Sequence, residues 1–303
     1  MKKETVAKYP HSANLFQFCR KVLDHKFGGI RVIDQDVGQI LGFDPADCSH
    51  WKKGKKNIRS IQAMKSIADH LEVDEKLIVD VASGEINDLE AFYEYSGYGS
   101  FDIDPKLLDA AKKDFYRKHA NTWTREKEQE FKNYFSVNEP VIDSIVENIH
   151  KKIDFSEAPL YLPEIVASYP GLVLKAIDYS DSESNDTVRV VRDNDSYEIL
   201  YPSEVKMRPY IRYQIAKAMT AYFFEKSSIS LPKELGEHGK HVSDVQANIF
   251  AAKLLTPSKL VCKELTNVNV AKDIVSQLAE IFWVSKTYMN RRLKEILENA
   301  PDI

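Results

Sequence analysis

Between Asp34 and Trp51 the chain reads DQDVGQILGFDPADCSHW, and few backbone paths satisfy that order. Gly38 falls inside an apolar helical pattern, where a residue without a Cβ weakens a helix by roughly 1 kcal/mol unless a neighbour uses the space. Gly42 follows one turn later, suited to a left-handed turn. Asp44 then offers a capping carboxylate and Pro45 fits the first helical position. The stretch predicts two short helices crossing closely at Gly38, with Val37, Leu41, Cys48 and Trp51 on the inward face.

A chain of 303 residues supports two domains, each with its own core. Hydrophobic residues make up 43% and charged residues 29%, an ordinary balance that excludes wholesale disorder. With a net charge of -4, any nucleic-acid surface has to be local. Cys19, Cys48 and Cys262 form no close pair for a zinc or redox motif, and all three are expected to be packing residues in a reducing cytoplasm. The first residues, MKKETVAKYPHSANLF, lack the apolar core of a signal peptide, and no run approaches a membrane span. A cytoplasmic protein with no membrane partner is expected.

Charge becomes local directly after the helix pair. From Pro45 to Ser66 there are six basic residues, Lys52, Lys53, Lys55, Lys56, Arg59 and Lys65, against one acid, Asp47. Further on, Ile61, Met64, Ile67, Ala68 and Leu71 recur at helical spacing. Over roughly residues 30 to 78 this order resembles the Xre/Cro-like repressor family. The resemblance implies that Gln35 contacts a phosphate, that Ala46, Asp47, Ser49 and His50 are the exposed recognition-helix positions, and that Lys52, Lys53, Lys55 and Lys56 neutralise the DNA backbone. Asp44 and Asp47 oppose a phosphate surface unless one caps the helix or accepts from a cytosine amine. A basic face on a protein-interaction helix pair is the alternative.

Domain 12–85 is therefore expected to be an all-helical DNA-binding unit. GEINDLEAFYEYSGYGSFDID, rich in Gly, acids and tyrosine, reads as the start of a linker with connecting helices over 86–137. Helices are expected at PKLLDAAKKDFYRKHANTWTREKEQEFKNYF, whose charged residues from Lys112 to Lys132 form a solvated face, and at EPVIDSIVENIHKKI and LPEIVASY. LVLKAIDY, TVRVVRD and SYEILYP then read as a small sheet, the last two split by the turn residues DND. The fold class expected is mainly α: an all-α helix-turn-helix domain, then an α+β domain with a three-stranded sheet and a C-terminal helix pair.

After the strands come YQIAKAMTAYFF, a loop KSSISLPKELGEHGKHVS, QANIFAAKLLTP with Ile249, Phe250, Leu254 and Leu255 on a core face, and LAEIFWVSKTYMNRRL. That succession resembles the ImmA/IrrE family of zinc metallopeptidase-like proteins over roughly residues 138 to 297. The resemblance implies a metallopeptidase-like domain at 138–265 closed by a helix pair at 266–303. Activity in that family needs HExxH, two histidines one turn apart holding zinc beside a glutamate base. The equivalent positions here are Lys217, Ala218, Met219, Thr220 and Ala221, with Asp244 at or near the place of the third ligand. Lys217 and Ala221 are expected on one helical face, pointing toward the helix of Asp244, with Lys217 available to pair with that acid or to recognise an anion.

His238, His241 and Asp244 recur every third residue, but their expected place in a loop around Gly239 speaks against a metal site. Arg291, Arg292 and Lys294 invite comparison with a second DNA reader, and Trp283 stands where a turn glycine is expected. The pair is read as a closing element. No catalytic residue, cofactor or metal is expected. The resulting expectation is a DNA-binding transcriptional regulator, a homodimer on a double-stranded operator, whose inactive domain senses an unknown effector or docks a protein partner. Two alternatives stay open: an antitoxin-like or other protein-interaction module, and a repressor-cleaving metallopeptidase with unusual ligands.

Overall fold

Leu15, Phe16, Phe18, Cys19, Val22 and Leu23 repeat at helical spacing and are all buried, which makes α1 (Pro10–Lys26) the central helix of the first compact unit, Met1–Tyr98. In the computed structural model the described residues are 7–28, 32–122, 124–178, 188–193, 196–203, 207–227 and 236–298. Around α1 stand α2 (Asp34–Leu41), α3 (Pro45–Lys52), α4 (Ile61–Leu71), α5 (Glu75–Ser83) and α6 (Asp88–Ser96). Their starts follow from side-chain caps: Asp44, Ser60, Asp74 and Asn87 accept from the backbone N–H groups of Ala46, Ala63, Lys76 and Glu90.

The α2–α3 turn has the geometry its sequence demands. A Cβ on Gly38 would lie 2.9 Å from Cys48 Sγ and 3.0 Å from the Phe43 carbonyl, so only glycine allows this approach. Gly42 turns the chain at φ +72°. Val37, Leu41, Cys48 and Trp51 are buried, and Trp51 packs edge-on against Phe16 with ring centroids 5.2 Å apart. Ile61 departs from the expected inward stripe: at the first turn of α4 it is 71% exposed, while Ile67, Ala68 and Leu71 are buried.

The expected linker at 86–137 is instead divided between the two units. α6 belongs to the first, where Phe92 and Tyr95 pack against its core; those aromatics are the physical reason it is no tether. The second unit, Gly99–Ile303, takes α7 (Pro105–His119) and α8 (Arg125–Tyr134), whose Ala111, Phe115 and Phe131 cluster with Val242 and with Phe135 just past the end of α8. Their outward residues, including Lys112, Lys113 and Lys132, are exposed as expected.

Next come α9 (Glu139–Lys152), α10 (Leu162–Ser168), β1 (Leu172–Ile177), β2 (Arg189–Asp193) and β3 (Ser196–Pro202). The sheet order is β1-β3-β2, with β1 parallel to β3 from Leu172 opposite Tyr197, and β2 antiparallel to β3 with Val190 opposite Ile199. β3 alternates inward Tyr197 and Ile199, whereas every residue of β2 is exposed, as an edge strand allows. The turn residues Asn194 and Asp195 lie outside the described residues.

The remaining helices are α11 (Pro209–Ala218), α12 (Thr220–Lys226), α13 (Gly236–Leu255), α14 (Ser258–Leu265), α15 (Ile274–Phe282) and α16 (Lys286–Glu298). α13 is buried nearly all round through its second half, including the expected Ile249, Phe250, Leu254 and Leu255, and packs on α7, α9 and α11. Its one basic residue there, Lys253, is neutralised by Glu139 at 2.8 Å and Asp143 at 2.6 Å. Of the cysteines, Cys19 and Cys48 are buried as expected, but Cys262 is exposed on the outer face of α14. No helix among the described residues is long and apolar enough to cross a membrane.

Candidate functional site

Two surfaces carry the residues singled out in the sequence. The first is the basic segment after α3. It is held by α1: buried Ser12 donates to Asn57 Oδ1 at 3.2 Å and accepts from the Ile58 N–H at 3.0 Å, while the Trp51 indole donates to the Ser12 carbonyl. Tyr9 N–H donates to the Gly54 carbonyl at 2.8 Å, and a Cβ on Gly54 would come 2.7 Å from that of Ala7. The N–H groups of Lys55 and Lys56 both donate to the His50 carbonyl. The lysines therefore project from a fixed backbone.

Their charges are not equal. Lys52 pairs with Asp34 at 2.7 Å, and Lys56 pairs with Asp47, so two of the four expected phosphate-neutralising lysines are partly compensated inside the unit. Lys53, Lys55 and Arg59 are exposed and have no ion-pair partner among the described residues. The acids that oppose an anionic ligand are engaged: Asp44 caps α3 through a 2.8 Å bond to Ala46 N–H, and Asp47 holds Lys56. Gln35, Ala46 and His50 are exposed, with Asp47 and Ser49 half-buried. Sequence reasoning missed the Ser12, Asn57 and Gly54 tethers, whose one signal was a polar residue, Ser12, among apolar helix positions.

The second surface is the face between α11 and α13. Lys217 Nζ lies 3.5 Å from Asp244 Oδ1, and one turn back Tyr213 donates to Asn248 Oδ1 at 3.0 Å. Lys217 with Asp244 and Tyr213 with Asn248 are successive rungs of an antiparallel pair. Beyond these rungs Ala218, Ala221, Lys240 and Ser243 line a cavity of about 570 Å³. The run YQIAKAMTAYFF is not one helix as expected: it breaks at Met219, where Thr220 Oγ1 donates to the Lys217 carbonyl at 2.6 Å. Lys217 and Ala221 still both face α13.

The loop expected before Ser243 is also corrected. Residues 236–243 form the first two turns of α13, so His238, Gly239 and His241 are helical; residues 228–235 lie outside the described residues. Helical spacing does not assemble a metal site. His238 faces Asp114 at 3.5 Å, His241 accepts from Asp104 N–H at 3.3 Å and Asp244 meets Lys217; among the described residues no group of three candidate ligands occurs. At the positions expected to correspond to HExxH, the Lys217 ammonium and the methyl groups of Ala218 and Ala221 offer no lone pair to zinc, and the ammonium occupies the neighbourhood of Asp244. Zinc does not fit that donor set.

Arg212, unremarked in the sequence, is 1% exposed. It donates to the carbonyls of Leu160 at 2.9 Å and Trp283 at 3.1 Å, and its guanidinium lies 4.6 Å from the Trp283 ring centre. Burial lowers its pKa to about 10. Trp283 takes φ +52° at the α15–α16 turn, a conformation costly for a bulky residue that Arg212 holds in place. Arg292 is buried and bonded to the Thr256 carbonyl and Ser258, Arg291 donates to the Gly99 carbonyl, and Lys294 pairs with Glu298. Arg291 and Arg292 are thus engaged by other segments of the second unit, while Lys294 meets only its own helix. The chain matches no protein-family model, no curated protein and no solved structure.

Proposed function

We propose that this chain is a sequence-specific DNA-binding transcriptional regulator, with an Xre/Cro-like first unit and a second unit that is metallopeptidase-like in descent but without peptidase chemistry. The observation that carries the reading is the fixed basic segment beside α3: Lys53, Lys55 and Arg59 stand exposed and unpaired among the described residues, while Asp44 and Asp47 are consumed by a helix cap and by Lys56. Such a surface attracts phosphates, and the exposed α3 side chains Ala46 and His50, with half-buried Ser49 beside them, meet base edges. One recognition helix reads a short half-site, so the regulator acts as a homodimer on a two-fold operator. The donor set at Lys217, Ala218 and Ala221 supports a non-catalytic second unit, whose role is to bias DNA affinity through an effector or partner.

Selection from a random duplex library, followed by titration of the selected sequence across salt, tests the reading. Enrichment of a two-fold motif and a steep fall of affinity with salt are expected. Recovery of no motif, with binding independent of salt, overturns it.

A further inference from the structure

We propose that the outer edge of β2 pairs with the same strand of a second copy of this chain, antiparallel across a two-fold axis, so that two sheets join into one. Every residue of β2 is exposed, Val190 at 38% and Val191 at 43% among them. The strand carries no proline, lysine or bulge, devices that keep a bare edge from pairing. Arg192 does not guard it either, because its guanidinium is held on α12 by both oxygens of Glu225, at 2.8 and 3.1 Å.

Backbone alternation fixes which groups the edge offers. Tyr197 N–H donates to the Gly171 carbonyl at 2.6 Å and Ser203 N–H to that of Ile177 at 2.9 Å, so the odd-numbered residues of β3 turn their backbone groups toward β1. Ser196, Glu198 and Leu200 turn theirs toward β2, where Asp193, Val191 and Arg189 stand opposite. Val190 and Arg192 therefore aim N–H and C=O away from the sheet, and no strand among the described residues pairs with them.

Two copies exchange bonds only where outward residues meet. Arg192 opposite itself sets like charges together. Val190 opposite itself leaves Asp193 facing a position beyond the strand. Val190 opposite Arg192 brings all five residues of β2 into register: Val191 meets Val191, and Arg189 meets Asp193 at both ends. The sequence RVVRD is thus complementary to its own reverse in the one register that uses the whole strand. The pairing stands apart from DNA recognition; only its use in holding two recognition helices on one operator rests on the regulator reading.

Sedimentation velocity of the full chain across a concentration series tests the pairing, and a reversible dimer is expected. Asp193→Arg sets arginine against arginine and Arg189→Asp sets aspartate against aspartate, so each alone weakens dimerisation by about tenfold or more. An equimolar mixture of the two restores the parent's affinity, because the mixed dimer carries opposite charges at both ends. Val190→Pro deletes an outward N–H and no bond to β3, and is expected to give a monomer with unchanged circular dichroism. A parent that stays monomeric at the highest concentration reached overturns the proposal and leaves the edge to an extended segment of another protein. Dimers that persist at the parent's affinity in Val190→Pro and in both charge variants place the interface elsewhere and overturn it too, and a mixture that fails to recover overturns the register. Failure to select DNA, with the dimer intact, removes the regulator reading and leaves the interface.

Discussion

Lys217 Nζ and Asp244 Oδ1 stand 3.5 Å apart, yet the lysine side chain is 17% exposed and the aspartate 54%. The pair is therefore asymmetric: one charge has given up its water and the other has largely kept it. Removing the exposed partner strands a desolvated ammonium, whereas removing the ammonium leaves a carboxylate that water can serve. Asp244→Ala is expected to destabilise the second unit by about 1–3 kcal/mol, and Lys217→Met to be neutral or stabilising. Urea denaturation monitored by hydrogen exchange in α13 separates the two; equal losses would contradict the asymmetry.

Gly38 approaches α3 so closely that any Cβ must displace Cys48 or the Phe43 carbonyl, one of them backbone. Gly38→Val is expected to cost the first unit about 1–3 kcal/mol by overpacking, with Gly42→Ala costing about 1 kcal/mol for its left-handed backbone. Thermal melts of the variants check both, and a Gly38→Val protein as stable as the parent would show that the helix crossing is wrong.

Lys53 and Lys55 project from a tethered backbone without acidic partners among the described residues, unlike Lys52 and Lys56. On the proposed DNA-binding reading, each neutral substitution at 53 or 55 lowers the slope of log affinity against log salt by about 0.9. Lys52→Gln, whose charge already faces Asp34 at 2.7 Å, is expected to change it less. Fluorescence anisotropy on the selected duplex at several salt concentrations measures the slopes.

Asp273 caps α15 and has its pKa lowered to about 2, first by the Lys286 ammonium and then by bonds from Ser276. A carboxylate depressed on folding contributes stability that is complete above its unfolded pKa near 4 and is lost as pH falls toward 2. Asp273→Asn is accordingly expected to flatten the acid side of the stability curve between about pH 4 and pH 2 while leaving the curve's shape at neutral pH unchanged. Denaturation midpoints taken across that window provide the measurement.

Local pattern determined a good deal of this molecule. Gly38, Gly42, Asp44 and Pro45 each act within a turn or two of themselves, so the α2–α3 geometry was legible from their chemistry alone. The three strands were likewise legible from their β-branched and alternating runs, although β2 buries none of its residues, and the core face of Ile249, Phe250, Leu254 and Leu255 was legible from helical spacing. What the tertiary structure decided depends on residues far apart in the chain. The pairing of Lys52 with Asp34, the anchoring of the basic segment by Ser12, and the burial of Arg212 under Trp283 all arise where separate segments meet. So does the start of α13 at Gly236, which its Gly239 and its polar residues argued against. A glycine costs a helix only about 1 kcal/mol, and packing of Val242 with Phe115 and Phe131 outweighs it. The cavity is the clearest case: no periodicity marks it, because it is the space left where Ala218 at the end of α11 and Ala221 on α12 meet Lys240 and Ser243 of α13.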